Sequence, residues 1–312
     1  MSIKKIIAFF LTIAAVVLLA SCGNEGYESE NTSALEVPSA SVSNTSAPDK
    51  GSESSTESFT EEAQPVNETT SGTTSSADKF SSKKIEHSYG IAKDSKPHLI
   101  SVNNQKFFEE NGFKAVCLDT KTTKKVLYLT FDCGWENGYT AKLLDVLKDK
   151  NVPAAFFCTL DHLKAEPELI KRMIAEGHII GNHSATHRDF STLSRAEIDE
   201  DIGRCAQYMK DEFSYTSKYF RFPEGSYSER ALDEVGKLGY LSVFWSCSYA
   251  DWDVNAQKGA DYAAQTVTSR LHPGAVILLH AVSPDNTSAM GRIIDWARAQ
   301  GYEFKSLDAL PY

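Results

Sequence analysis

An α/β fold of parallel strands joined by helices follows from three features of the chain. Short apolar, β-rich runs recur six times between residues 126 and 279, an amphipathic stretch of helical period follows each one, and nearly every run closes on an ionisable residue. The first run, VLYLTF at 126–131, is followed by helical periodicity near 140–150, and AAFFCT at 154–159 by a second stretch near 166–176. HIIG at 178–181 precedes the stretch 194–212, and KYF at 218–220 precedes 228–238. LSVFWS at 241–246 and AVILL at 275–279 are followed by 257–271 and 286–300. Several of the helical stretches end at glycine, as helices do. Strand and helix repeated in this order imply parallel strands with helical crossovers, which an open sheet and a barrel satisfy equally.

The 312 residues, 41% hydrophobic and 24% charged, suffice for one large domain or two small ones. A net charge of -10 argues against nucleic acid as a partner, because that affinity rests on clustered Lys and Arg. The charge is unevenly spread. Lys4 and Lys5 precede an apolar run over 6–20 that ends in Leu19-Ala20-Ser21-Cys22, an export signal shorter than the roughly 20 residues of a spanning helix. Its small residues before cysteine resemble a bacterial lipobox, so 1–22 reads as a lipoprotein signal peptide and Cys22 as a diacylated mature N-terminus. The protein is then expected outside the cytoplasm, anchored to the cell membrane by that lipid. In 23–82, Ser and Thr make up 23 of 60 residues and 11 acids face two lysines, a composition that cannot bury enough apolar surface to order itself. This segment reads as a disordered linker. Residues 83–312 then hold 28 bases against 31 acids and form the folded domain.

Five cysteines follow Cys22: Cys117, Cys133, Cys158, Cys205 and Cys247. An odd number cannot all pair within the chain, and no CxxC spacing suggests a zinc ribbon. Cys158 and Cys247 lie in apolar runs and read as small buried hydrophobes.

The ionisable residues at the strand ends define the expected site. Asp132, Arg221 and His280 each follow a run directly, His183 follows one after a single residue, and Asp251 lies a few residues beyond another. In parallel α/β folds the carboxyl ends of the strands share one face, where ligands bind. Any one of these residues could be a helix cap or a satisfied surface group, but their convergence is much less readily structural. His183 and His187, four residues apart, can share one face of a helical turn and hold a single metal ion. A metal there would polarise an acyl oxygen, Asp132 would take a proton from water, and Arg221 would keep Asp132 ionised. His280, oriented by Asp251, could protonate a leaving amine. Metal-assisted hydrolysis of an amide or ester is the reaction expected. No GxSxG elbow or Cys-His pair supports an acyl-enzyme route.

Five segments carry a resemblance to a known family. Thr130-Phe131-Asp132-Cys133-Gly134, His183-Ser184-Ala185-Thr186-His187, Arg221-Phe222-Pro223-Glu224-Gly225, Asp251-Trp252 and Leu278-Leu279-His280 match, in order, the five motifs of the polysaccharide deacetylases, carbohydrate esterase family four with the NodB homology domain. The resemblance implies a distorted, incomplete (β/α) barrel and deacetylation of N-acetyl sugars without a covalent intermediate. It makes Asp132 the base, His183 and His187 metal ligands, Arg221 the partner of the base, His280 the general acid and Asp251 its partner. The family's oxyanion donor falls on the backbone N–H of Glu224. Within the family, 133–140, 177–184, 244–252 and 280–286 look like the delta-lactam-biosynthetic de-N-acetylases, which act on N-acetylmuramic acid in peptidoglycan. Sporulation is the setting that this subgroup suggests.

Where most members carry a third metal ligand, an Asp after the base, this chain has Cys133. A thiolate ligand there is chemically reasonable, with Zn favoured as the one divalent ion; the alternative is that Cys133 faces away and water completes a two-His site. Trp135, Gly225 and Tyr227 are the candidates for contact with sugar. Core packing is expected instead for Trp245 and Trp252, which have apolar neighbours. The activity expected is metal-dependent N-deacetylation of N-acetylmuramic acid in peptidoglycan, with acetate released. The alternatives are an N-acetylglucosamine deacetylase of peptidoglycan or another polysaccharide, and an inactive lipid-anchored wall-binding homologue. No protein partner is implied.

Overall fold

The computed structural model describes residues 78–311; the export signal, Cys22 and most of the expected linker lie outside the described residues. Strand β1 (Ile85–Glu86) and helix α1 (Leu99–Glu110) lead to β2 (Ala115–Val116) and β3 (Val126–Cys133). Helix α2 (Thr140–Asp149) joins β3 to β4 (Ala154–Cys158), and α3 (Leu160–Ala165) with α4 (Pro167–Ala175) joins β4 to β5 (Ile179–Asn182). Helix α5 (Arg195–Phe213) leads to β6 (Tyr219–Phe220), and after β7 (Ser226–Tyr227) helix α6 (Glu229–Lys237) leads to β8 (Leu241–Val243). Helix α7 (Ala260–Ser269) precedes β9 (Ala275–His280), and α8 (Pro284–Ala299) precedes β10 (Glu303–Phe304).

All six expected strands and all six expected helices form, with ends shifted by a few residues. The elements not anticipated are α1, α3 and four two-residue strands, the latter too short to show a period.

The strands from β3 through β4, β5, β6 and β8 to β2 run parallel, and β3 also pairs along its length with β9 and at its start with β10. Beyond β8 the chain returns to β9: Ser246 N–H donates to Val276 O over 3.0 Å, and Leu278 N–H donates to Cys247 O over 2.9 Å. Two isolated bridges, Cys247 with Ile277 and Leu118 with Ala275, therefore close the curved sheet where a full ladder would complete a barrel. This is the distorted, incomplete (β/α) barrel expected.

Strand alternation sorts the residues of β3 onto two faces. Leu127, Leu129, Phe131 and Cys133 face outward into the layer formed with Leu143, Leu144 and Leu147 of α2 and Ile293 and Ile294 of α8. Each such buried aliphatic or aromatic side chain contributes about 1.5–3 kcal/mol. Val126 and Tyr128 face inward, against Phe157, Ile179, Val243 and Val276. Asp132 continues the inward set and so emerges at the carboxyl end of the barrel interior. Phe157 fills that interior only because residue 181 is glycine; a Cβ there would lie 2.3 Å from the Phe157 ring.

The folded region begins before residue 83. Asp78 is held by the Arg195 guanidinium at 2.8 and 2.9 Å, Phe80 packs on Phe113 at 5.3 Å between ring centroids, and Ser81 O accepts from Arg230 N–H. The last residues of the expected linker are thus tied down by an ion pair and a ring contact that composition could not reveal. No helix among the described residues is long and apolar enough to cross a membrane.

Candidate active site

The carboxyl ends of the strands surround a cavity of 820 Å³, whose lining includes Asp132, His183, His187, Glu224 and His280, together with Trp135, Trp245 and Trp252. This volume lies within the range of small-molecule and cofactor sites.

Asp132, at the end of β3, is held from below. Arg221, immediately after β6, donates from Nη1 to Asp132 Oδ1 over 2.7 Å, from Nη2 to Thr130 Oγ1 over 2.9 Å and from Nε to Val243 O over 2.8 Å. Its guanidinium lies 4.1 Å from the centroid of the Phe157 ring, a cation–π contact that adds to the three hydrogen bonds of this fully buried cation. Burial alone would raise the Asp132 pKa, but the Arg221 charge, helped by His183 and His280, outweighs it and holds the carboxyl below its ordinary value. Asp132 is therefore ionised, and its second oxygen, Oδ2, lies 3.6 Å from His183 Nε2.

His183 follows β5 and donates from Nδ1 to Arg221 O over 2.9 Å, which leaves the Nε2 lone pair free. Burial lowers its pKa to about 4, against the pull of the Asp132 charge, so the ring is neutral. The His187 ring lies 5.0 Å from it at 82°. The turn that joins them is not the helical one expected: Ser184 and His187 have φ of 75° and 52°, in the left-handed region. Four hydrogen bonds hold that turn, one of them from Ser184 N–H to Asn182 Oδ1 over 2.9 Å. Asp201 of α5 accepts from Ala185 N–H over 2.7 Å and from the Thr186 hydroxyl, while His187 N–H donates to Ser184 Oγ over 2.9 Å. Two imidazoles, with the His183 tautomer fixed by Arg221 O, fit a divalent metal ion.

His280, the last residue of β9, is the register partner of Asp132 on the neighbouring strand β3, and both line the cavity. Its Nδ1–H donates to Asp251 Oδ1 over 2.6 Å and its backbone N–H to Asp251 Oδ2 over 2.8 Å. The Asn286 side-chain amide donates to the same Oδ2, and Tyr249 OH donates to Asn286 Oδ1 over 2.6 Å. Burial opposes protonation of His280, yet the Asp251 charge and hydrogen bond, with a further contribution from Asp132, raise its pKa above the ordinary imidazole value.

Several expectations need correction. Cys133 does not face the cavity. Next to the inward Asp132 on the same strand, it must point to the opposite face, and it is fully buried in the layer between sheet and helices. Tyr227 belongs to the core with Phe108, Phe222 and Phe244, and its strand pairs with β1. Gly225 backs the site, since a Cβ there would meet Trp245 at 2.8 Å and His87 at 3.1 Å. Trp252 is 58% exposed on the cavity rim, 6.2 Å from the His280 ring, and Trp245 both packs and lines the cavity. Trp135 is half exposed at the cavity as expected, and Glu224 lines it with φ of 56°, a strained conformation for a residue with a side chain. All five described cysteines are unpaired.

The sequence reading missed Asp201, Asn286, Tyr249 and Thr130. For Asp201 a signal existed: it is an acid on the buried stripe of α5 that holds Ile198, Ile202, Cys205 and Met209.

Fold and site together are those of a hydrolase with separate groups for removing and delivering a proton, and comparison with known proteins gives the class. The polysaccharide deacetylase family matches residues 119–243. The peptidoglycan-N-acetylmuramic acid deacetylase PdaA of Bacillus subtilis is 46% identical over 195 residues, covering 61% of this chain and 73% of that protein. A peptidoglycan-N-acetylglucosamine deacetylase of Bacillus cereus is 31% identical over 193 residues, or 60% and 68% of the two chains. The solved structure of Bacillus subtilis PdaA, a family 4 carbohydrate esterase, superposes with a TM-score of 0.70 at 40% identity, covering 74% of this chain and 97% of that one. The chain belongs to the polysaccharide deacetylase family and is a polysaccharide N-deacetylase, in a family whose members are generally metal-dependent.

Proposed function

We propose that this enzyme removes the N-acetyl group of N-acetylmuramic acid in peptidoglycan, releases acetate and leaves an amine that leads to muramic delta-lactam. The observation that carries the reading is an ionised Asp132 beside a proton-bearing His280 on neighbouring strands, at a cavity that also holds the imidazoles of His183 and His187. The resemblance to PdaA supports the substrate.

The substrate's acetamide enters between Asp132 and His280. Asp132 Oδ2, free of the Arg221 bond that holds Oδ1, accepts a proton from the attacking water as its oxygen bonds to the acyl carbon. The Glu224 backbone N–H serves as a donor to the developing oxyanion. As the C–N bond breaks, His280 delivers its proton to the leaving nitrogen, and Asp251 stabilises the imidazolium until then. One divalent ion, Zn by the preference of imidazole, would be held by His183 and His187 and would supply Lewis acidity to the acyl oxygen and to water. A lipid on Cys22 would keep the enzyme at the outer face of the membrane, within reach of the wall.

A second reading, N-acetylglucosamine as the deacetylated sugar, is favoured by one feature of the cavity. Among the described residues its lining includes the acids Asp161 and Glu224 but no Lys or Arg to meet a lactyl carboxylate. Mass spectrometry of muropeptides after digestion with the metal-loaded enzyme separates the readings. Loss of acetyl from muramic residues is the expected result; loss from glucosamine alone would overturn the muramic assignment.

A further inference from the structure

We infer that Cys133, Cys158 and His162 form a second, buried site for one thiophilic divalent ion of the Zn type, separate from the His183–His187 pair. The candidate ligand atoms of the three residues all lie within 4.8 Å of one another, and all three residues are buried. Cys133 and Cys158 are directly paired neighbours on the parallel strands β3 and β4, and both belong to the layer on the helix side of the sheet. Helix α3 starts two residues after Cys158 and brings His162 to the two sulfurs.

His162 makes this more than a patch of core thiols. It is 1% exposed, and neither of its ring nitrogens has a hydrogen-bond partner in the protein. A buried polar atom left unsatisfied is destabilising, so an aliphatic residue would fill the same volume at less cost. An ion bound to one ring nitrogen would satisfy the lone pair.

Charge favours the same assignment. A divalent cation that displaces one proton from each thiol and binds a neutral imidazole leaves a site of zero net charge, which burial tolerates. Bond lengths of about 2.3 Å to sulfur and 2.0–2.1 Å to nitrogen place tetrahedral ligand atoms roughly 3.5 Å apart, so side-chain rotation suffices to close 4.8 Å. Cys205, whose thiol donates toward Cys158 O at 3.8 Å, brings another sulfur to the neighbourhood. The site would fasten β3, which carries Asp132, to the start of α3, beside the cavity-lining Thr159.

Metal analysis and cobalt substitution of the full-length chain test the assignment. Two equivalents of metal are expected; Cys158→Ala and His162→Leu each lose one, and His187→Ala loses the other. Cobalt-loaded protein should show near-ultraviolet thiolate-to-cobalt absorption that survives His187→Ala and disappears in His162→Leu. Should the core variants fail to fold, the spectra of the parent chain and His187→Ala decide alone. A single equivalent, thiolate absorption that is absent or is lost in His187→Ala, or a Cys133–Cys158 disulfide in the intact mass would overturn the inference.

Discussion

Asp132 and His280, neighbours at the ends of β3 and β9, handle protons in opposite ways, and the difference lies in what is packed behind each group. Behind Asp132 is a buried guanidinium held by hydrogen bonds from each of its three nitrogens; behind His280 is a buried carboxylate held by Asn286. Burial acts against the charged form on both sides, and in both cases the partner's charge outweighs it. One side is thereby held as a conjugate base and the other as a conjugate acid over the same pH interval. Opposed environments of this kind divide acid and base roles between titratable groups.

The comparison breaks most severely if the base side is neutralised. Asp132→Asn removes the proton acceptor, and kcat/KM for acetate release should fall by about 10²–10⁴. The same variant leaves Arg221 buried without a counter-charge, so thermal unfolding should occur at lower temperature. On the acid side, Asp251→Asn removes the charge that raises the His280 pKa and leaves burial to lower it. In the parent enzyme His280 stays protonated above the ordinary imidazole value, so the alkaline limb of kcat/KM should lie above about 6.5; in the variant it should move to lower pH. A limb that does not move would separate His280 from the acid role.

Smaller effects are expected away from the two proton-handling groups. Asp201→Ala loosens the turn that carries His183 and His187 and should cost roughly 10–100-fold in metal affinity or activity, measured by metal titration and acetate release. Trp135→Ala should raise KM about fivefold with kcat nearly unchanged, as for loss of about 1 kcal/mol of uniform contact with a sugar face.

The chemistry of the site was legible because strand ends can be read from apolar runs, and a parallel fold sends all their carboxyl ends to one face. Asp132, His183, Arg221 and His280 are therefore placed together by topology alone. The same reasoning, carried one residue further, would have turned Cys133 away, since period two puts it opposite Asp132; the motif position had suggested otherwise. The positive φ at Ser184 and His187 was illegible because neither is glycine and the turn depends on Asp201, distant in sequence. Trp252 reaches the cavity rim through a loop, and Tyr227 the core through a two-residue strand paired with β1, neither of which hydropathy encodes.

The central claim is that Asp132 and His280 divide a metal-assisted deacetylation between them. Acetate release from peptidoglycan by the full-length, metal-loaded chain, measured beside Asp132→Asn, tests it most directly. The expected result is acetate from the parent chain, abolished by a chelator, restored by a divalent ion and reduced at least about 10²-fold in the variant. Folded, metal-loaded parent chain that releases no acetate, or a variant that releases it as fast as the parent, would contradict the claim.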